Sequence, residues 1–245
     1  MVNVHIHQFQ GGKAVIDASA LEQFQKQWTT YQKLVDSDQL SHKAIGDILG
    51  SALSESFQRP FPILDIACGD ASLMKRVLPA TTVGHYHGID LAEPALELAA
   101  KNLAAMPFAV DLDQRDFVAA MNDRPEPADV SWCSLSIHHL ATEDKLRLLE
   151  AIRRTTASFL MIYEPTRLAD EDRDAYLDRF ALINRPLWTM LTPSEWYQID
   201  HHVRTADLPE TSAVWLELGC KAGFSGARQV FVDPTDFYRL YRYDV

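Results

Sequence analysis

The chain has 245 residues, enough for one large domain or a domain with a cap, and its 47% hydrophobic and 23% charged residues are ordinary for a soluble globular protein. A formal net charge of −11, from 23 basic and 34 acidic side chains, argues against nucleic acid or an anionic membrane as partner. No run approaches the roughly 18 apolar residues of a membrane span.

In chain order, "VNVHIHQF" alternates like a short strand, with Val2, Val4 and Ile6 on one face. From Asp17 to Val35, Leu21, Phe24, Trp28, Tyr31 and Leu34 recur at three- to four-residue spacing, which predicts an amphipathic helix. A second helix is expected from about Ser41, as its cap, to about Phe57. After "RPFP" the pattern changes to strand–helix alternation. "ILDIA", "VGHYHGI", "PFAVDL", "ADVSWCSLS" and "SFLMIYE" are strands, each of the first four followed by a helical run. This alternation predicts a mostly parallel sheet with helices on both faces. From about 165 to 209 it stops, and a stretch of this length reads as a lid or binding element. "ETSAVWLELGCKAG" is a helix ended by Gly223. "ARQVFV" and "DFYRLYRYDV", split by the Asp233-Pro234 turn signal, add an antiparallel edge.

The fold expected is α/β: a doubly wound, Rossmann-like, mostly parallel seven-stranded sheet with an antiparallel C-terminal edge. Residues 1–60 form a helical N-terminal extension, and 61–245 the main domain with the lid. The opening "MVNVHIHQFQGGK" has no basic start followed by an apolar run, so no secretion signal is expected. Cys68, Cys133 and Cys220 lack CxxC spacing and sit in apolar surroundings. The expectation is a cytoplasmic protein with buried thiols.

In such a sheet, ligands bind beyond the carboxyl ends of the strands. The first strand after "RPFP" delivers Asp65, Ala67, Cys68, Gly69, Asp70 and Ala71. Small residues there allow close backbone approach, and Gly69 can take a positive φ. A dinucleotide site would want GxGxxG, but only Gly69 is present, and Asp70 stands where a phosphate should sit. That disfavours a nicotinamide oxidoreductase. Asp65 and Asp70 suit a cationic ligand, and S-adenosylmethionine carries a sulfonium and an ammonium. Asp90, at the end of the next strand, can accept both ribose hydroxyls, or it can serve as a first-turn helix acid. Leu91 would then lie on the adenine face. Asp116 can accept from the adenine amino group and Phe117 can pack on the ring, with Asp111 and Asp113 as competitors.

"ILDIACGDA", "GIDLAEP", "RDF" and "DVSWCSLSIHHL", in this order, resemble the class I S-adenosylmethionine-dependent methyltransferases of small-molecule type, from about Phe61 onward. "AGF" at 222–224 is similar as well. Ala67 and Ala71 depart from the usual Gly-x-Gly-x-Gly but keep the loop small. The resemblance implies S-adenosylmethionine as cofactor, S-adenosylhomocysteine as product, and Asp65, Gly69 and Asp90 as binding residues. It also implies that backbone near Ser134 and Leu135 contacts the amino-acid end. By the same resemblance the N-terminal helices, with Trp28, Tyr31 and His42, cover the cofactor.

Methyl transfer is an in-line displacement that needs alignment, exclusion of water and sometimes a base. His138 and His139 follow the fourth strand, close to where the methyl should lie; His138 is the candidate base, and His139 a catalytic or structural neighbour. Glu164, in "YEPTR", could face substrate or pair with Arg167. Within the lid, Tyr176, Phe180, Trp188, Trp196, Tyr197 and His201, beside His202, are candidates to hold a flat or apolar substrate. The pairs His5/His7, His85/His87, His138/His139 and His201/His202 invite a metal, but adjacent or alternating spacing sends side chains apart, so no metal is expected. An Asn/Asp-Pro-Pro-aromatic loop is missing after strand four, which disfavours nucleic-acid methylation. The expected function is methylation of a small molecule at O, N or C, with a small-molecule acceptor, no nucleic-acid or membrane partner, and a monomer or homodimer. The alternative is a non-catalytic binder of the cofactor that uses the fold for sensing.

Overall fold

A computed structural model describes residues 4–8, 28–123 and 128–245, with only the backbone described for 4–8. The chain-order elements are β1 (Val4–Gln8), α1 (28–36), α2 (His42–Ser56), β2 (Phe61–Ile66), α3 (Ser72–Val77), β3 (Val83–Asp90), α4 (Glu93–Leu103), β4 (Ala109–Gln114), α5 (Phe117–Asp123), β5 (Ala128–Ser134), α6 (Thr142–Thr155) and β6 (Thr156–Arg167). There follow α7 (Arg173–Leu187), α8 (Pro193–Ala206), β7 (Glu210–Thr211), α9 (Ser212–Lys221), β8 (Gly226–Val232) and β9 (Tyr238–Asp244).

The strands form one sheet in the order β1-β4-β3-β2-β5-β6-β9-β8, with β7 paired to β6. The pairs from β1 to β6 are parallel, whereas β9 runs antiparallel to both β6 and β8. Consecutive residues of the central strands face opposite cores. Ile63, Trp132 and Met161 pack with α2, α3, α4 and α7 on one side. Leu64, Cys133 and Ile162 pack with α5, α6 and α9 on the other. Near-continuous apolar strands are what two covered faces require. The doubly wound architecture and antiparallel edge are as expected.

Several local expectations change. β1 is a further parallel strand, in register with β4 from Val4↔Val110 to Gln8↔Gln114, so the sheet exceeds seven strands. The expected helix over 17–35 is described only from residue 28 onward. Ser41 precedes α2 but makes no side-chain cap; Asp38 Oδ1 instead accepts from the Lys43 N–H at 3.0 Å. Cys133 is buried, Cys68 is half-buried, and Cys220 is exposed rather than buried because it falls on the outer face of α9. Among the described residues no helix is long and apolar enough to cross a membrane.

Candidate functional site

Four strand ends, those of β2, β3, β5 and β6, converge below α1 and the helical pair α7–α8. Two adjoining cavities lie there.

The first cavity, about 230 Å³, is lined by the loop from Asp65 to Leu73, by Asp90, by Trp132 and Ser134 to Ser136, and by Trp28, Tyr31 and His42 from the N-terminal side. The β2–α3 loop turns sharply because Ala67, Gly69 and Ala71 all have positive φ, at 56°, 55° and 53°. A Cβ on Gly69 would lie 3.2 Å from the Trp28 ring, so glycine serves both the turn and the close approach. Cys68 donates its N–H to the Ile89 carbonyl, which locks the loop to β3. Burial pushes the Cys68 thiol well up, so it is not a nucleophile.

Acids dominate this cavity. Asp65 is buried and accepts from the Tyr86 hydroxyl at 2.7 Å. Burial, aided by the Asp90 and Asp70 charges against the Tyr86 hydrogen bond, pushes its carboxyl up to about 7. Asp90 accepts from the Gly69 N–H (2.9 Å) and the Ala92 N–H (2.8 Å), and burial still raises its carboxyl. Asp90 is neither the cap nor a first-turn acid of α4, which starts at Glu93; it braces the β2–α3 loop and the turn before α4, with a lone pair on each oxygen left for a ligand. His42 Nδ1 is buried without a hydrogen-bond partner among the described residues, and burial lowers its imidazole to about 4. A ligand with cationic and hydrogen-bonding groups fits this donor and acceptor set.

The second cavity, about 270 Å³, lies under the lid. Its polar wall is His138, His139, His202 and Asp207, and its apolar wall includes Leu34, Leu40, Phe180, Trp188, Ile199, Val203 and Tyr238. Tyr31 and Leu135 line both cavities. Leu135, with φ 52°, donates its N–H to the Tyr163 carbonyl at 2.8 Å, which fixes the partition.

His138 and His139 sit on a 3-10 turn, Ile137–His139, and this turn brings their rings to 4.0 Å between centroids instead of sending them apart. Glu164 is fully buried behind the turn. Its carboxylate accepts from the Ser136 and Ile137 N–H groups and lies 2.7 Å from His138 Nδ1. Burial pulls the His138 imidazolium down, but the Glu164 hydrogen bond and charge, with Asp207 behind it, more than offset this and the net shift is upward. Burial and the neighbouring His138 and His202 lower His139 to about 4. Asp207 is held by its surroundings: the Leu208 N–H donates to the His138 carbonyl, and buried Lys145 bonds the Leu208 carbonyl and Glu210.

Of the residues singled out from sequence, Asp65, Ala67, Cys68, Gly69, Asp70, Ala71, Asp90, Ser134 and Leu135, with Trp28, Tyr31 and His42, meet in the first cavity. His138, His139, Phe180, Trp188 and His202 meet in the second. The remaining candidates fall elsewhere. Leu91 is 67% exposed and lines neither cavity. Asp116 accepts from the Ala119 N–H to start α5, and Phe117 packs on the core behind β2 and β5. The competitors Asp111 and Asp113 pair with His85 and His87, at 2.7 and 2.9 Å. Glu164 faces neither substrate nor Arg167, which bonds the Pro209 and Glu171 carbonyls. Tyr176 is in the core against Phe180 and Phe237, and Trp196 packs behind Trp188 and Phe180. Tyr197 and His201 stack on the outer face of α8.

Ile199, His202 and Val203, at helical spacing, form the inner face of α8, which periodicity alone does not distinguish from the face of Tyr197 and His201. Asp207 carried no sequence signal, because it lies beyond the helix end and depends on tertiary docking.

A family described as a methyltransferase domain matches residues 63–158. No curated protein sequence matches the chain. Among solved structures, the magnesium protoporphyrin IX methyltransferase ChlM of Synechocystis PCC 6803, with bound S-adenosylhomocysteine, is similar at a TM-score of 0.61 and 12% identity, covering 94% of this chain and 95% of that one. The mitomycin 7-O-methyltransferase MmcR is similar at 0.58 and 17% identity, covering 94% and 58%. The pyocyanin biosynthetic protein PhzM is similar at 0.54 and 20% identity, covering 76% of this chain and 50% of its own, so this chain spans about half its length. At these identities the structural likeness establishes the fold.

Proposed function

We propose that this chain, whose residues 63–158 match a methyltransferase-domain family, is a class I enzyme that transfers a methyl group from S-adenosylmethionine to a small molecule. One observation carries the reading: an acid-lined cavity at the β2 and β3 ends adjoins a second cavity walled by imidazoles, and Tyr31 and Leu135 belong to both.

S-adenosylmethionine supplies an electrophilic methyl on a cationic sulfur. Asp65 and Asp70 offer negative charge to the cationic end of the cofactor. Asp90 offers its remaining lone pairs to the ribose hydroxyls while it holds the Gly69 and Ala92 N–H groups. Leu135 and Tyr31 flank the passage through which donor and acceptor meet, and α7 and α8 exclude water from it. The apolar wall suits the body of a flat or hydrophobic acceptor. The wall of His138, His139, His202 and Asp207 orients a hydroxyl acceptor and can take up its proton. This favours oxygen as the acceptor atom.

Calorimetric titration with S-adenosylmethionine and S-adenosylhomocysteine tests the first part, with micromolar binding expected. Formation of S-adenosylhomocysteine with a panel of phenols and alcohols tests the second. Absence of binding to both ligands removes the reading. Binding without turnover on any acceptor leaves a cofactor sensor instead.

A further inference from the structure

Three imidazoles converge on one orphaned carboxylate oxygen at the wall of the second cavity. Asp207 is 5% exposed, and its Oδ1 has no hydrogen-bond partner among the described residues. His138 Nε2 and His139 Nδ1 are each 3.6 Å from it, and His202 Nε2 is 3.9 Å away. A shared proton would draw such a pair to about 2.7–2.9 Å. Donors bound to one tetrahedral ion at about 2.0–2.2 Å lie roughly 3.3–3.6 Å apart; the two distances from Asp207 Oδ1 to His138 and His139 meet the upper end of that range, and the three donor atoms all lie within 4.8 Å of one another.

The frame around these atoms matches a metal centre. Glu164 lies 2.7 Å from His138 Nδ1, which places a proton on that nitrogen and leaves the Nε2 lone pair facing Asp207. A buried carboxylate behind a ligating histidine fixes its tautomer and orientation. His139 and His202 are partly open to solvent, with side chains 37% and 55% exposed, so an ion has a path in.

We propose that His138 Nε2, His139 Nδ1 and Asp207 Oδ1 are the ligands of one divalent transition-metal ion of the zinc class, with His202 beside an open position that faces the acceptor cavity. Two imidazoles and one carboxylate suit zinc, and three protein ligands with an open site are the catalytic form of such centres. This rests on the methyltransferase reading and narrows it to acceptors that bind through oxygen. The acceptor hydroxyl loses its proton to solvent by way of His202 as its oxygen meets the cation. The oxygen then forms a bond to the methyl carbon, the carbon–sulfur bond breaks, and its electron pair stays on sulfur. His138 and His139 then serve as ligands rather than bases.

The test is titration of chelator-stripped full-length protein with Zn²⁺ alone, beside a separate titration of the same stripped protein with S-adenosylmethionine. One tight equivalent of Zn²⁺ is expected, weakened roughly tenfold or more in Asp207→Asn and in His139→Gln. X-ray absorption of the wild-type zinc protein provides a measurement independent of variant folding, with only nitrogen and oxygen neighbours expected at about 2.0–2.2 Å. Absence of a tight equivalent in protein that still binds S-adenosylmethionine overturns the metal site and leaves the methyltransferase reading standing. An equivalent untouched by both substitutions, or one with sulfur neighbours, belongs to other residues and overturns it equally. Zinc binding without cofactor binding keeps the site and removes the reading on which its chemical role rests.

Discussion

Glu164 Oε2 lies 2.7 Å from His138 Nδ1, and the same buried carboxylate receives the N–H groups of Ser136 and Ile137. One side chain on β6 thus sets both the backbone of the β5 loop and the direction of its first histidine. A Glu164→Gln side chain presents an amide NH2 to some of these donors. The unsatisfied groups should cost about 1–3 kcal/mol. For a chain of this size that is about 2–4 °C of melting temperature per kcal/mol. Thermal unfolding followed by circular dichroism measures it, and an unchanged midpoint would show that the loop does not depend on Glu164.

Asp65 titrates near 7 in the ligand-free protein, chiefly because it is buried. A cationic cofactor favours its ionised form. Binding should therefore release a proton below pH 7, and affinity should rise from pH 5.5 to about 7.5 and then level off. The stability effect has the opposite sense. The folded carboxyl holds its proton more tightly than the unfolded one, so the Asp65 contribution falls as pH rises from about 4 to about 7. Calorimetry in two buffers of different ionisation enthalpy reads the proton directly. A flat affinity profile in the wild type, equal to that of Asp65→Asn, would remove Asp65 from the cation site.

Asp90→Ala removes the acceptor of two loop N–H groups as well as the proposed ribose contact. Cofactor binding should weaken by about 1–3 kcal/mol. Asp90→Asn keeps a carbonyl acceptor and should lose less. Equal affinity of Asp90→Ala and wild type, measured by titration with S-adenosylhomocysteine, would leave Asp90 a purely structural residue.

Lys33 Nζ meets Glu195 Oε1 at 2.6 Å and ties α1 to the N-terminus of α8, two helices that line the acceptor cavity through Tyr31, Leu34, Ile199 and Val203. The Lys33 hydrogen bond, with help from the Thr192 N–H, lowers Glu195 to about 2. Its contribution is present above about pH 4.5 and lost as pH falls toward 2. The pair is partly exposed and screened, so Lys33→Ala should change global stability by less than about 1 kcal/mol. The expected effect is on the acceptor: a higher KM with cofactor affinity unchanged. A matched loss of cofactor affinity would mean that the tie does not act on the lid alone.

Ala67 has φ 56°, a left-handed conformation that costs a residue with a Cβ about 1–2 kcal/mol. Ala67→Gly removes that strain at an unfolded-chain entropy cost of about 0.4–1 kcal/mol. A net gain of roughly 0.5–1 kcal/mol in urea unfolding is expected, and a net loss would show that the Ala67 methyl packs more tightly than its half-buried position implies.

The alternation of apolar strands with amphipathic helices was legible in the sequence because each signal is local: a period of two or of 3.6 and a breaker between. Asp65, Gly69 and Asp90 were legible for the same reason, since a strand end followed by small or acidic residues lies at the ligand edge of a doubly wound sheet whatever the rest of the chain does. Three things were decided only by the tertiary structure. The α8 face that turns inward was settled by docking on Phe180 and Trp188, so Ile199, His202 and Val203 line the cavity while Tyr197 and His201 face out. Glu164 became a loop anchor because β6 runs beside β5, which puts its carboxylate under the 136–138 backbone. Asp207 met His138 and His139 across long sequence separation because the Leu208 N–H and buried Lys145 hold its segment against the turn. Periodicity records which face of one element is apolar; which elements then touch depends on the free energy of packing the whole chain.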